Sequence, residues 1–280
     1  MSRRIFFSAG FTPGAHRGAS HQYPENTLEA FRRAREILPG CLIETDVRQT
    51  GDGRIVVIHD ELLNPTTNGT GPVRGVTLAQ IQRLDAGFGV TFDGGGNYPF
   101  RGRGYRIPLL SEALDAFPDA KFSIDIKDRD LDAAARVISI IQEKRAAGRI
   151  IVGSFHERVI RFVRKRYHDA VTSFSKYDAL RFLALRKCGC AGMIRWRGDA
   201  LLVPEFIGGG TYEYEGRDTR GVRIITTGLI DEAHRRGIPI LAWTINRPDN
   251  MRRLIEWGIN GVITDHIELL KEVMIAMNIK

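Results

Sequence analysis

Short apolar runs rich in β-branched residues alternate with longer helical patterns almost to the end of this 280-residue chain, and that alternation leaves few folds open. Strand-like runs occur around "AHRG" (15–18), "LIETDV" (42–47), "RIVVIH" (54–59), "KFSIDIK" (121–127), "RIIVGSF" (149–155), "AVTSFS" (170–175), "ALLVPEF" (200–206), "IPILAWT" (238–244) and "GVITD" (261–265). Helical patterns cover 26–38, 111–117, 131–147, 157–167, 176–187, 227–236, 248–257 and 266–277. Strand–helix alternation implies a parallel sheet with crossovers. One pair breaks the rule. Only "GDG", Gly51 to Gly53, separates the second run from the third. A parallel crossover needs a dozen or more residues, so these two form an antiparallel hairpin. Setting the return strand aside leaves eight parallel strands at a length suited to a (β/α)8 TIM-type barrel. An open doubly wound sheet is disfavoured, because no glycine-rich dinucleotide fingerprint follows the first strand.

Residues 60–108 carry "TTNGTGPV", "DGGGN" and "RGRGYR" with one short helical stretch, "TLAQIQRL". That is too long for a plain strand–helix connection, and extra segments at the C-terminal face of a barrel usually serve function. We read the chain as one domain spanning 1–280, with a small insertion at about 60–108 over the barrel mouth. The N-terminal "MSRRIFFSAGFTPG" is basic, then briefly apolar and broken by Gly10, Pro13 and Gly14; it reads as a leading strand, not a signal peptide. No apolar run reaches the ~18 residues of a membrane span. Three cysteines without CxxC spacing indicate neither a disulfide framework nor a zinc site, and the expected setting is cytoplasmic. The net charge of +8 suits an anionic substrate and permits peripheral membrane contact. The most basic stretch, "RFVRKRYH" (161–168), reads as the wet face of an amphipathic helix, and with no nucleic-acid motif that partner is not expected.

Residues two apart on a strand share a face. Glu44 and Asp46 therefore project together from the second strand, and Ser123, Asp125 and Lys127 from the fourth run. A barrel interior does not hold three carboxylates and a lysine without reward. Either they form a buried ion-pair network or they build a site. The hairpin pairs residues whose numbers sum to about 103 or 104, which brings His59 opposite Glu44 or its neighbour. All-oxygen ligation by Glu44, Asp46 and Asp125 suits a hard cation such as Mg2+ or Ca2+. A cation with Arg17, Lys127 and two histidines is a phosphoryl-transfer set. A glycosidase would place its carboxylates on opposite sides of the scissile bond, whereas Glu44 and Asp46 share one wall. His16 and Arg17 sit just ahead of "PENT" (24–27), which reads as a helix start with a capping polar side chain and an acidic first turn. Glu25 would either steady Arg17 or favour that helix N-terminus.

With "AHRG", "PENT", "ETDV", "VVIHD", "TTNGTG", "LDAG", "IPLLSEAL", "AWTIN" and "GVITD" in this order over nearly the whole chain, the sequence resembles the glycerophosphodiester phosphodiesterases. The resemblance implies a (β/α)8 barrel with a small insertion after the return strand. It also implies cleavage of glycerophosphodiesters to glycerol 3-phosphate and an alcohol with one divalent cation. Carried over, His16 and His59 are the acid–base pair, Arg17 and Lys127 meet the phosphate, and Trp243 shapes the glycerol or leaving-group side. Glu44 and Asp46 match metal ligands; the third carboxylate, usually Glu in the family, is here Asp125, one methylene shorter. Pro13 and Gly14 interrupt a normally smooth first strand. Two alternatives accompany this reading: a lysophospholipase D of the same superfamily, and an inactive phosphodiester-binding module. The first needs an apolar trough, for which the insertion offers Leu62, Leu63, Phe88, Phe92, Tyr98 and Phe100. Because polar, glycine-rich segments separate these, the sequence favours water-soluble glycerophosphodiesters.

Overall fold

The computed structural model describes residues 6–7, 10–208 and 221–279. The chain runs β1 (Thr12–His16), α1 (Leu28–Ile37), β2 (Leu42–Gln49), β3 (Ile55–Val57), α2 (Leu78–Ile81), α3 (Leu110–Ala116), β4 (Phe122–Ile126), α4 (Leu131–Glu143) and β5 (Ile150–Gly153). It continues through α5 (Glu157–Arg166), β6 (Val171–Thr172), α6 (Lys176–Lys187), β7 (Leu201–Val203), β8 (Phe206–Ile207) and β9 (Val222–Arg223). It then passes α7 (Thr227–Arg235), β10 (Ile240–Ala242), α8 (Pro248–Glu256), β11 (Gly261–Thr264) and α9 (Ile267–Ala276). The parallel strands are hydrogen-bonded in the order β6-β5-β4-β2-β1-β11-β10-β7. A parallel bridge from Ser173 to Ala200 links the β6 edge to the β7 edge. Eight parallel strands with helices between them make the expected (β/α)8 barrel.

β3 pairs antiparallel with β2, Val47 opposite Val57 and Gln49 opposite Ile55, a register whose numbers sum to 104. The Ile58 amide donates to the Asp46 carbonyl at 3.0 Å, so His59 arrives beside Thr45, the neighbour of Glu44. Each inward strand face changes character along its length. Leu42, Ile151, Leu241 and Ile263 form an apolar floor, closed by Phe6. Two or four residues further along the same faces stand Glu44 and Asp46, Gly153, Trp243 and Asp265. The apolar floor contributes the burial that closes the barrel, and the charged rows are left at the C-terminal mouth, where water and substrate can reach them.

The first strand holds despite Pro13 and Gly14. Thr12 N donates to Asn260 O and Arg17 N to Glu44 O, so the backbone N–H and C=O groups of even-numbered β1 residues point to β11 and those of odd-numbered ones to β2. Pairing with β2 starts only at Gly14 opposite Leu42, and the absent Pro13 N–H removes no bond of the ladder. Gly14 is needed for contact: a Cβ there would meet Ile263 Cγ1 at 2.7 Å. α1 opens on Thr27, whose side chain accepts from the Ala30 amide, and it buries Ala30, Phe31, Ala34 and Ile37. α5 buries Val159, Ile160 and Val163 and exposes Arg161, Lys165 and Arg166, the amphipathic helix expected of "RFVRKRYH", while Arg164 turns inward to Thr172, the Ser173 carbonyl and Asp178.

Residues 60–108 hold a 3-10 turn at Val73–Gly75 and the four-residue α2. Leu63, Val73, Ile81 and Ile107 pack on Val56 and Ile58 of the return strand. The aromatic side chains of this segment mostly meet one another. Phe100 lies edge-on to Phe92 at 6.0 Å and to Tyr105 at 5.3 Å, and Arg101 stacks over Tyr98 at 3.4 Å. The small antiparallel pair β8–β9 was not expected from the sequence. Much of the N-terminal run read as a leading strand lies outside the described residues; Phe6 falls in a helical turn. Among the described residues no helix is long and apolar enough to cross a membrane.

Candidate active site

The eight side chains singled out from the sequence all line one cavity of about 450 Å3 at the C-terminal ends of the strands: His16, Arg17, Glu44, Asp46, His59, Asp125, Lys127 and Trp243. A larger cleft of about 1690 Å3, around Asp169 and Val171 at the start of β6, contains none of them. In a barrel of this kind chemistry belongs to the former end.

Register builds the charged wall. His16 pairs with Glu44 between β1 and β2, and Asp46 with Asp125 between β2 and β4. Lys127 Nζ stands between two carboxylates, 2.9 Å from Asp46 Oδ1 and 2.7 Å from Asp125 Oδ2. Arg17 Nη1 donates to both oxygens of Glu25 at 3.0 and 2.9 Å, so Glu25 grips the arginine. Arg17 Nε lies 3.3 Å from Asp46 Oδ2. Arg17 and Asn26 both hold the left-handed conformation, with φ of 56° and 57°. A non-glycine residue held there marks a constrained loop, and these two straddle the turn that aims Arg17 at the cavity. Between them Gly18 fits because a Cβ would lie 2.7 Å from the Ala30 carbonyl carbon. Asn26 donates to Asp46 Oδ2 at 3.1 Å and accepts from Thr45 Oγ1 at 2.7 Å, satisfying a carboxylate that is almost fully buried.

Both histidines are held from behind. His16 Nδ1 lies 2.6 Å from Asp265 Oδ1, and His59 Nδ1 lies 2.8 Å from Asp60 Oδ1. Asp265 is itself fixed by Ser20 Oγ at 2.9 Å and Asn246 Nδ2 at 2.6 Å. Burial alone would raise the Asp265 pKa, but these hydrogen bonds and the His16 charge outweigh it and hold the group below the usual carboxylate range. An ionised carboxylate only accepts, so His16 carries its proton on Nδ1 and turns Nε2 to the cavity, 3.9 Å from Glu44 Oε2. Burial opposes the imidazolium; the Asp265 hydrogen bond and the Glu44 charge prevail, and the His16 pKa is raised. Asp60, Asn246 and Asp265 stand in "VVIHD", "AWTIN" and "GVITD", and their place behind the histidines emerges only in the folded chain. The signal was a polar residue directly after or near each motif's apolar run.

The carboxylates differ among themselves. Burial, then the adjacent Asp46, push Glu44 up to about 7. Burial would raise Asp46 too, but Lys127 and Arg17 bring it down to about 2. Burial raises Asp125 against the pull of Lys127. Glu44 is thus raised by burial and by a like charge, and three carboxylate oxygen donors are the ligand type that suits a hard divalent cation. Among the described residues, the group whose ligand atoms lie within 4.8 Å of one another is a different one: His21, His266 and Glu268, behind the mouth. Its histidine rings lie centroid to centroid at 3.7 Å.

Residues 16–269 match the model of the glycerophosphoryl diester phosphodiesterase family. The chain belongs to that family. A glycerophosphodiester phosphodiesterase of Caldanaerobacter subterraneus subsp. tengcongensis is 32% identical over 265 residues, covering 91% of this chain and 94% of that one. The crystal structure of a glycerophosphoryl diester phosphodiesterase domain from Mycobacterium tuberculosis superposes with a TM-score of 0.81 at 22% identity, covering 95% of this chain and 99% of that one. An Oleispira antarctica phosphodiesterase, solved with its product sn-glycerol-3-phosphate, superposes with a TM-score of 0.72 at 20% identity over 96% of this chain and 98% of that one. Family membership and fold agree with the expectation drawn from the ordered motifs.

Proposed function

We propose that this family member hydrolyses glycerophosphodiesters to glycerol 3-phosphate and an alcohol, with one divalent cation, Mg2+ or Ca2+, held by Glu44, Asp46 and Asp125. The observation that carries the reading is the single cavity shared by two carboxylate-backed histidines, an oxygen donor set and two cations. When bound, the metal supplies positive charge beside the phosphoryl oxygens. Arg17, steadied by Glu25, and Lys127, steadied by Asp46 and Asp125, orient the anionic diester. One histidine takes the proton of the glycerol 2-hydroxyl, whose oxygen attacks phosphorus. The other gives a proton to the leaving alcohol as its P–O bond breaks. The cyclic phosphate formed is then opened by water with the proton roles exchanged. Asp265 and Asp60 fix the tautomers and directions that these transfers need.

Release of glycerol 3-phosphate from glycerophosphoethanolamine, glycerophosphocholine and glycerophosphoglycerol, with and without chelator, tests this. Turnover that chelator abolishes and Mg2+ or Ca2+ restores is expected. Undiminished turnover in excess chelator by a metal-free protein would remove the cation from the reading, and no turnover on any diester would remove the reading itself.

A further inference from the structure

Ser20 and Asp265 brace His16, and the residues that follow them in the chain, His21 and His266, are left unused by the diesterase reading. With Glu268 in the first turn of α9 they bring one ligand atom each within 4.8 Å of one another. None of the three lines the catalytic cavity. The fold alone explains them poorly. His266 holds the N-cap position of α9, where Ser, Thr, Asp or Asn would supply an acceptor, yet its side chain makes no cap bond. It is only 4% exposed, and its ring lies 3.7 Å from that of His21, centroid to centroid. Burial, then His21, lower the His266 pKa, which leaves a neutral imidazole with a lone pair to offer. Glu268 accepts from Gln22 Nε2 on Oε1 at 3.1 Å, but its Oε2 is buried with no hydrogen-bond partner among the described residues. A buried carboxylate oxygen left without a donor is costly, and a cation would offset that cost.

We propose that His21, His266 and Glu268 form a second metal site, separate from the Glu44, Asp46 and Asp125 set, and that it takes a transition cation of the zinc type. Two imidazole nitrogens with one carboxylate oxygen suit Zn2+ or Co2+, whereas Mg2+ and Ca2+ take oxygen, so the two sites sort their metals by donor type. A tetrahedral ion with ligands at about 2.0–2.2 Å spaces them roughly 3.4 Å apart. Side-chain rotation closes the trio to that spacing while the backbone stays in place. His21 N already donates to the Asp265 carbonyl at 3.3 Å, which pins the turn after β1 to the start of α9. Water completes the coordination. The ion ties together the two segments that brace His16, and it acts as a clamp, not as a reactant.

Titrating the whole protein with Co2+, after chelator has stripped it of metal and been removed, tests this without an activity assay. Four-coordinate Co2+ with imidazole ligands absorbs strongly in the visible, whereas an all-oxygen octahedral site absorbs only faintly, so the spectrum tells the two sites apart. A strong band that saturates at one Co2+ per chain, and that Zn2+ but not Mg2+ displaces, is expected. His21→Ala, at an exposed position, makes little demand on folding. Glu268→Gln keeps an acceptor for Gln22. Each should weaken the strongly absorbing Co2+ by at least the ~10- to 100-fold that losing even an outer-shell partner costs. Glu44→Gln should leave the band intact. A band lost in Glu44→Gln and kept in His21→Ala would assign it to the catalytic carboxylates. No strong band at all would leave the trio as a packed ring pair beside a carboxylate. Either result overturns the proposal, and neither touches the diesterase reading.

Discussion

The two sides of the barrel mouth are built on opposite principles. On the side of β1, β2 and β4, nearly every functional atom is fixed by a second polar group. Asp265 holds His16, Glu25 holds Arg17, Asn26 holds Asp46, and Lys127 bridges two carboxylates. On the side of β6, β7 and α6 the strands are only two and three residues long, and the lining mixes Leu180, Leu183 and Val203 with Ser173, Ser175 and Lys176. A phosphoryl transfer requires charges held within fractions of an ångström, and only a network of directional bonds keeps buried charges so placed. Apolar contact asks only for area, and non-directional side chains supply it. Chemistry and recognition are therefore separable here, and substitutions on the two sides should fail in different ways.

The largest effects belong to the charged side. His16→Ala and His59→Ala should each lower kcat by at least ~10²-fold on glycerophosphoethanolamine, the usual cost of losing an acid or base. Circular dichroism and melting should show a folded protein, because both side chains stand at the mouth above the apolar floor. Near-full activity in either variant would take that histidine out of the reaction. A smaller effect should follow Asp265→Asn, which keeps size and removes the charge behind His16. A hydrogen bond to a charged group is worth about 1.5–3 kcal/mol, or roughly 10- to 150-fold in rate. If Asp265 positions His16, kcat falls while KM stays put. A change confined to KM would assign Asp265 to binding instead.

That contrast also explains what could be read in advance. Period-two spacing put Glu44 with Asp46 and Asp125 with Lys127, and the three-residue "GDG" turn brought His59 to β2; both follow from local geometry. The partner of His16 lies 249 residues away, so its identity depends on β1 and β11 closing beside each other, which no local pattern states. The α6 side of the cavity escaped for a related reason. α6 carries leucines on more than one face, and only the packed structure separates Phe182, which enters the core, from Leu180 and Leu183, which face the cavity. In the 60–108 segment the aromatics were visible, but their edge-on packing on one another was not.

The smallest expected effect sharpens the comparison most, because it pits the 60–108 segment against the α6 wall. Phe92 is half-exposed, with its ring 6.0 Å from those of His21 and Phe100. An aromatic pair of this kind contributes about 0.5–1.5 kcal/mol. Phe92→Ala should therefore lower the unfolding free energy by about 1 kcal/mol, read from the urea midpoint, and leave kcat/KM on glycerophosphoethanolamine as it is in the parent protein. Leu183→Asp should do the reverse: kcat/KM falls for the anionic diester because a carboxylate now stands in a cavity wall that it shares with Leu180, Ser175 and Lys176. The pair of measurements is decisive in combination. A lowered kcat/KM in Phe92→Ala beside an intact one in Leu183→Asp would place the substrate against the 60–108 segment. The α6 wall would then be a packing surface, and the division of labour across the mouth would be reversed.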